Sequence, residues 1–380
     1  MFATSGSPKP ISSGSKALPT KYWWEELYPY QATGSSEWTI KPPMITESFS
    51  FTRNGHTLRG LIDLPDDRCP IAGLALVPGH GQTHVASGEH NKALRTRLTN
   101  AGVACCEWDR VGCGNSDGTY DHHQPVEDSG EEAAVAIDAF AAQVGLEIDR
   151  IGFWGGSRAG WICAWALQRR PAMGFWIIFS PGGDHDNFPF LLETNLRLEG
   201  RSEPQIQRLL EELRQGQRLV RTGGTFSEYL DATAQLRADA FYQYLNIFGT
   251  QGEDEEGFYR EQEKHKNGVY TVDETREVHI TPWLYQTLAC IRCPVLAMFG
   301  EKDTFVDARE TARLYREALK EGGNPDFTIH MFADGNHALG QCETGGVRET
   351  MEQFQNGTFS SCDPDNTIMM EWMRQRGFAH

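Results

Sequence analysis

Three residues of the chain pair a reactive side chain with a turn-forming context: Ser157, Asp303 and His337. Ser157 sits in Gly155-Gly156-Ser157-Arg158-Ala159-Gly160, with an apolar run before it and an apolar, helix-like segment after it. A serine hydroxyl is a weak nucleophile unless it is held exposed beside a base. A tight strand-to-helix turn does this, and small residues tolerate its strained backbone. The form is G-x-S-x-G with Ala159 in the last place. Taken alone, a glycine turn with an incidental serine explains it equally well. The other two residues change the balance. Asp303 closes Gly300-Glu301-Lys302-Asp303, and His337 closes Gly335-Asn336-His337. Each of the three follows a strand-like run, where open α/β sheets carry their sites. Nucleophile, acid and base in that order are the set needed for acyl transfer through a covalent intermediate.

The elements that must position these residues are readable in outline. Residues 48–52 and 58–64 alternate in polarity around Asn54-Gly55, which predicts a two-stranded hairpin. Residues 72–77 are continuously apolar and predict a strand buried on both faces. A helix is expected over 90–101, a strand over 103–108, and a helix over 130–143 capped by Ser129 with Glu132. The strand over 149–154 leads into the serine turn, the helix over 158–170 leaves it, and another strand covers 175–180. This alternation predicts an α/β fold with a mostly parallel twisted sheet flanked by helices. From 187 to 284 the pattern is helical instead, with caps expected at Ser202 (with Gln205) and Ser227. Strands resume at 294–299 and 327–332, with Asp307 and Glu310 capping the helix between them. Residues 341–362 read as loop and 365–376 as a closing helix. The expected organisation is an N-terminal arm and lead-in over 1–47, a catalytic domain over 48–186 and 285–380, and a helical cap over 187–284.

Composition narrows the partners. A formal net charge of −17 over 380 residues argues against a nucleic-acid or anionic-membrane partner. The nine cysteines form no repeating framework, and Cys105, Cys106 and Cys163 lie in apolar runs. They read as buried free thiols of a reducing compartment. Cys290 and Cys293 have C-x-x-C spacing but no second pair, so neither a metal nor a cofactor is expected. The first twenty residues lack the apolar core of a secretory signal, and no apolar run reaches membrane-spanning length. A cytoplasmic location is the expectation. The oligomeric state stays open, a homodimer included.

With these motifs in place the chain resembles the α/β-hydrolase fold, and within it the dienelactone-hydrolase-like and serine-peptidase-like esterases. The resemblance covers about residues 48–184 and 290–340. It is carried by Pro78-Gly79-His80-Gly81, Asp109 to Ser116, the serine turn, Gly300 to Asp303, and Gly335-Asn336-His337. It implies Ser157 as nucleophile, His337 as general base and Asp303 as the acid that orients the imidazole. It also implies an oxyanion site made by the backbone N–H of Arg158 and a second donor, Gln82, after His80-Gly81. Asp184 and Asp186 are rivals for the acid, because some members take it from the preceding strand. Asp307 reads better as a helix cap, His330 as a strand residue, and His80 and His84 as loop structure. Asp109 and Arg110 read as braces for their loop, and Ser116 as a turn residue. The Arg158 side chain either meets a substrate carboxylate or holds the turn. Phe188, Phe190, Leu191, Leu192, Tyr229, Phe241, Tyr242, Tyr244 and Phe248 suggest an apolar lining or core for the cap.

The expected function is hydrolysis of a carboxylic ester or lactone of a partly apolar small molecule. A thioesterase, acyltransferase or small-peptide peptidase would use the same three residues. A non-catalytic ligand-binding relative is disfavoured, since no member of the triad is missing.

Overall fold

The structure is a computed structural model that describes residues 44–245, 254–275 and 277–380. The N-terminal arm and Phe248 lie outside these residues. Strands β1 (Ile45–Arg53) and β2 (His56–Leu64) form the expected hairpin, with Asn54 and Gly55 both at positive φ in the turn. The first strand starts at Ile45 rather than 48. Then follow β3 (Ala72–Leu76), α1 (Lys92–Asn100), β4 (Val103–Trp108), α2 (Val126–Val144), β5 (Ile151–Gly156), α3 (Ala159–Arg169) and β6 (Phe175–Phe179). After a long insertion come α10 (Leu284–Cys290), β9 (Val295–Gly300), α11 (Ala308–Glu321), β10 (Phe327–Phe332), α12 (Val347–Gln355) and α13 (Thr367–Gln375).

Eight strands make one sheet in the order β1-β2-β4-β3-β5-β6-β9-β10. All pairs from β4 to β10 are parallel, while β2 runs antiparallel to both its neighbours. Strands β3, β4, β5, β6 and β9 are buried along their whole lengths. This is why their sequences are almost free of polar residues, Glu107 of β4 being the exception: helices cover both faces of a parallel sheet. One face packs against α2, α3, α10 and α11 through residues such as Ile137, Phe140, Ile162, Leu288 and Tyr315. The other packs against α1 and α13 through Leu94, Leu98, Met369 and Met373.

The insertion consists of α4 (Phe188–Leu198), α5 (Glu203–Thr222), α6 (Phe226–Ala232), α7 (Ala234–Ala238), α8 (Ala240–Leu245) and α9 (Glu255–Lys266). A short hairpin, β7 (Thr271–Val272) and β8 (Val278–His279), closes it. Leu192, Leu196, Ile206, Leu209, Leu213, Leu236 and Phe241 form an apolar cluster of its own. Most of the aromatic residues expected to line it are spent there or against it, Tyr242, Phe188 and Tyr244 among them. Val347 and Met351 of α12 complete this cluster from the later part of the chain.

Three sequence expectations are corrected. Ser129 does not cap α2, which starts at Val126 after Pro125. Its hydroxyl donates back to the Pro125 carbonyl, and Glu132 accepts from the Trp108 indole instead of closing a box. The cap of α6 is Thr225 with Glu228, not Ser227. Residues 341–362 are not all loop, because α12 lies within them. The capping box of Ser202 with Gln205 and the cap of α11 by Asp307 form as expected. Cys105, Cys106 and Cys163 are buried. Among the described residues no helix is long and apolar enough to cross a membrane.

Candidate active site

Strand β5 delivers Ser157 directly into α3, and Ser157 takes φ of 53°. A non-glycine residue in this left-handed region is strained by about 1–3 kcal/mol. The strain is held by packing: a Cβ on Gly156 would lie 2.2 Å from the Phe179 ring, so only glycine fits before the serine. The Ser157 N–H donates to Phe179 O at 3.0 Å, which ties the turn to β6. The next links along the same edge are Ser180 N–H to Met298 O at 2.8 Å and Lys302 N–H to Gly335 O at 2.9 Å. The loops after β5, β6, β9 and β10 are thereby stitched into one rim at the C-terminal ends of parallel strands.

Asp303 and His337 meet on this rim. His337 Nδ1 and Asp303 Oδ2 are 2.7 Å apart, and both residues are about 5 % exposed, so the pair is shielded from water. The other carboxylate oxygen of Asp303 accepts from the N–H groups of Phe305, at 2.8 Å, and Val306, at 3.0 Å. With that oxygen taken, the carboxylate can turn only one face to the imidazole. The Phe305 ring stacks on the His337 ring at a centroid distance of 4.8 Å. Asn336 Oδ1 accepts from the N–H groups of Ala338 and Gly340, which fixes the loop that carries the histidine. Ser157 Oγ makes no hydrogen bond to His337 or to any other described residue. Such contacts are commonly loose before substrate binds.

The rivals for the acid are engaged elsewhere. Asp184 lies between His185, at 3.5 Å, and His279, at 3.4 Å. Asp186 accepts from the Phe188 N–H and from Gln217. His330 lies in β10, and Ser116 donates to the Asp109 carbonyl. Asp109 accepts from Val85 N–H, and the Arg110 guanidinium donates to Gly81 O at 2.8 Å, so both brace their loops. His84 is exposed.

The loop after β3 carries His80, Gly81 and Gln82 against the serine turn. The Arg158 guanidinium donates to Gly79 O at 3.2 Å, Gln124 O at 2.7 Å and Ser129 Oγ at 3.1 Å. Arg158 therefore binds two loops to the turn, and its partners are carbonyls and a hydroxyl rather than an acid. Burial pulls it down to about 9, with the Arg110 charge acting in the same direction. No described residue accepts from the backbone N–H of Gln82 or of Arg158. An unpaired backbone donor directly after a serine, as at Arg158, can stabilise a negative oxygen.

Sequence reasoning missed His122, His123 and Arg260. The His122 ring lies 4.7 Å from the His80 ring and 5.1 Å from the His123 ring, and Arg260 of α9 reaches His123. The adjacent histidines in Asp121-His122-His123-Gln124 were the only available signal. Burial holds His80, His122 and His123 below their ordinary value of 6.5, and neighbouring histidine and arginine charges add to this. The unfolded chain therefore takes up protons before the folded one does. Stability from these groups is full above pH 6.5 and is lost as pH falls below it. The thermal midpoint is expected to drop from pH 7 to pH 5, and less steeply in His122→Gln; an unchanged slope in that variant counts against the assignment.

Comparison with known proteins agrees with this architecture. No curated protein matches the sequence. The esterase Pf2001 of Pyrococcus furiosus superposes with a TM-score of 0.50 at 14% identity, over 90% of this chain and 95% of that one. At that identity the likeness concerns the fold alone. An acylaminoacyl peptidase of Pyrococcus horikoshii superposes at 0.46 and 12% identity, over 88% of this chain and 42% of that one. Residues 70–341, running from just before β3 to just past His337, match the family described as serine aminopeptidase S33, and the chain belongs to this family of α/β hydrolases.

Proposed function

We propose that the protein is a serine hydrolase that cleaves a carboxylic ester or lactone of a partly apolar small molecule. Ser157 Oγ attacks the acyl carbonyl while His337 Nε2 takes its proton. The alcohol leaves with that proton, and the acyl group remains on Ser157. A water then attacks the acyl-enzyme, again losing its proton to His337, and the acid is released as Ser157 regains its hydrogen. Asp303 keeps the His337 proton on Nδ1 and stabilises the imidazolium. The N–H groups of Arg158 and Gln82 receive the oxyanion, with Gly81 and His80 shaping the loop behind them. The helices over 187–284 act as a cap that selects the acyl and alcohol groups.

The observation that carries this reading is the buried His337–Asp303 pair, whose acid is anchored by two backbone donors on the same rim as the strained Ser157. Membership of a family described as serine aminopeptidase favours a second reading, a peptidase acting on short peptides. A fluorophosphonate probe is expected to label the native protein and not Ser157→Ala. Labelling that persists in the variant removes Ser157 as nucleophile. 4-Nitrophenyl esters of increasing chain length, run beside lactones and aminoacyl anilides, then separate the two readings.

A further inference from the structure

Beside the serine turn, the loop between β4 and α2 meets helix α9 of the insertion. Three arginines and three histidines converge there. The rings of His80, His122 and His123 follow one another at 4.7 and 5.1 Å. The Arg260 guanidinium lies 2.9 Å from His123 Nε2. Gln124, next in sequence, accepts from Arg158 through its carbonyl and from Arg110 through its side chain. This loop is thus bonded to the residue that follows the serine.

The cluster is short of ion pairs: Asp121 and Glu127, whose charges act on it, accept from the His123 N–H and the Trp283 indole. Among the described residues no carboxylate lies within ion-pair distance of Arg110 or Arg158. Arg260 has only Glu256, at 3.8 Å and almost wholly exposed. The nearby acids are committed: Glu132 accepts from Trp108 and Gln124, and Glu261 from Lys264 and Tyr270. Such a patch is unusual in a chain whose net charge is −17. A surface region of one sign draws the opposite charge.

Hydrogen-bond logic points the same way. A guanidinium only donates, so His123 Nε2 accepts and the ring proton sits on Nδ1. That Nδ1 and the Arg260 Nε are buried, and neither has an acceptor. Two buried donors without acceptors leave the site incomplete. Arg110 and Arg158 are spent on carbonyls and contribute charge rather than contacts. Arg260 is one-third exposed, so its fork stays reachable. A planar fork matches a carboxylate.

We propose that this cluster is a subsite for a carboxylate carried by the substrate, with Arg260 as the contact and His123 as its orienting neighbour. The inference rests on the Ser157 hydrolase reading and narrows its substrate class to esters that bear an acidic group. Arg260 comes from the insertion, so the cap would take part in recognition by charge as well as by shape.

Calorimetry with glutarate, and with its neutral diamide as control, tests the subsite without catalysis. Glutarate is expected to bind the native protein and the diamide to fail. Arg260→Gln should weaken glutarate by about tenfold or more, and Arg260→Lys should recover part of the loss. No glutarate binding, or equal binding by native protein and Arg260→Gln, overturns the subsite. Inorganic phosphate binding more tightly than glutarate overturns the carboxylate assignment. In kinetics, the kcat/KM of mono-4-nitrophenyl glutarate relative to 4-nitrophenyl valerate should fall about tenfold or more in Arg260→Gln. Equal losses on both esters assign Arg260 a packing role and sink the proposal. If the native protein turns over neither ester and the probe leaves Ser157 unlabelled, the hydrolase reading fails, and calorimetry still decides the subsite.

Discussion

Asp303→Asn is expected to lower kcat by about 10⁴, and Ser157→Ala by about 10⁶, with the fold retained in both. The first loss follows from how Asp303 is held. One of its oxygens accepts from the N–H groups of Phe305 and Val306, and the other faces His337 Nδ1. An asparagine keeps its single oxygen on those two donors, because an amide nitrogen there would meet them donor to donor. Its NH₂ then points at His337 Nδ1. That nitrogen must become an acceptor, so the ring proton moves to Nε2. A histidine protonated on Nε2 cannot take a proton from Ser157. The substitution thus leaves the geometry intact and installs the wrong tautomer. Steady-state turnover and the rate of fluorophosphonate labelling should fall together in Asp303→Asn, while circular dichroism and the thermal midpoint stay near those of the native protein. Turnover within about tenfold of native would transfer the acid role to Asp184 or Asp186, whose present partners are His185, His279 and Gln217.

Phe305 touches both members of the pair. Its N–H holds the Asp303 carboxylate and its ring stacks on the His337 imidazole, so one residue limits the motion of both. The apolar cluster of the insertion includes Val347 and Met351 of α12, so the insertion packs against an element that follows the histidine loop in the chain.

How much of this was legible depended on the range of the interaction. Strands β3, β4, β6 and β9 were readable because burial on both faces writes a continuous apolar run into each. Ser157 and Asp303 were readable because each follows a strand buried along its whole length, and His337 because it follows the half-buried strand β10. The start of α2 was misplaced because Ser129-x-x-Glu132 imitates a capping box, whereas the Glu132 carboxylate is drawn away to the Trp108 indole on β4. The cap of α6 was misplaced because Thr225 and Ser227 are alternative caps two residues apart, and only Thr225 has a glutamate at the required spacing. Helix α12 was missed for a different reason. Its local sequence is polar with Gly345-Gly346 at its head, and Val347 and Met351 find their apolar partners in the distant insertion. The contact of Arg260 with His123 spans 137 residues and leaves no local trace at all. Residues at secondary-structure ends are visible in a single sequence; a contact between two segments distant in the chain is not.

Arg95→Met is expected to destabilise the fold by about 3–5 kcal/mol at pH 7, the loss that follows from stranding buried charge. Arg95 of α1, Asp63 of β2 and Glu107 of β4 are each at most 3 % exposed. The Arg95 guanidinium bonds Asp63, lies 3.5 Å from Glu107 and donates to Gly88 O. Asp63 also accepts from Thr46, and Glu107 from Asn91 and His90. Methionine fills much of the volume but leaves two buried carboxylates without their cation. Burial raises the Asp63 carboxyl already, and Arg95 is among the groups that hold it down. Removing Arg95 raises it further. A carboxyl whose folded value lies above its unfolded one favours the folded state at low pH and loses that contribution as pH rises. The deficit of Arg95→Met should therefore shrink between pH 7 and pH 5, as Asp63 takes up a proton in the fold. Adding Asp63→Asn should recover part of the loss at pH 7. Urea unfolding of the native protein, the single variant and the double variant at both pH values reads these outcomes directly. A deficit that is the same at both pH values, and that Asp63→Asn does not relieve, would mean that Arg95 supports α1 against β2 and β4 by packing alone.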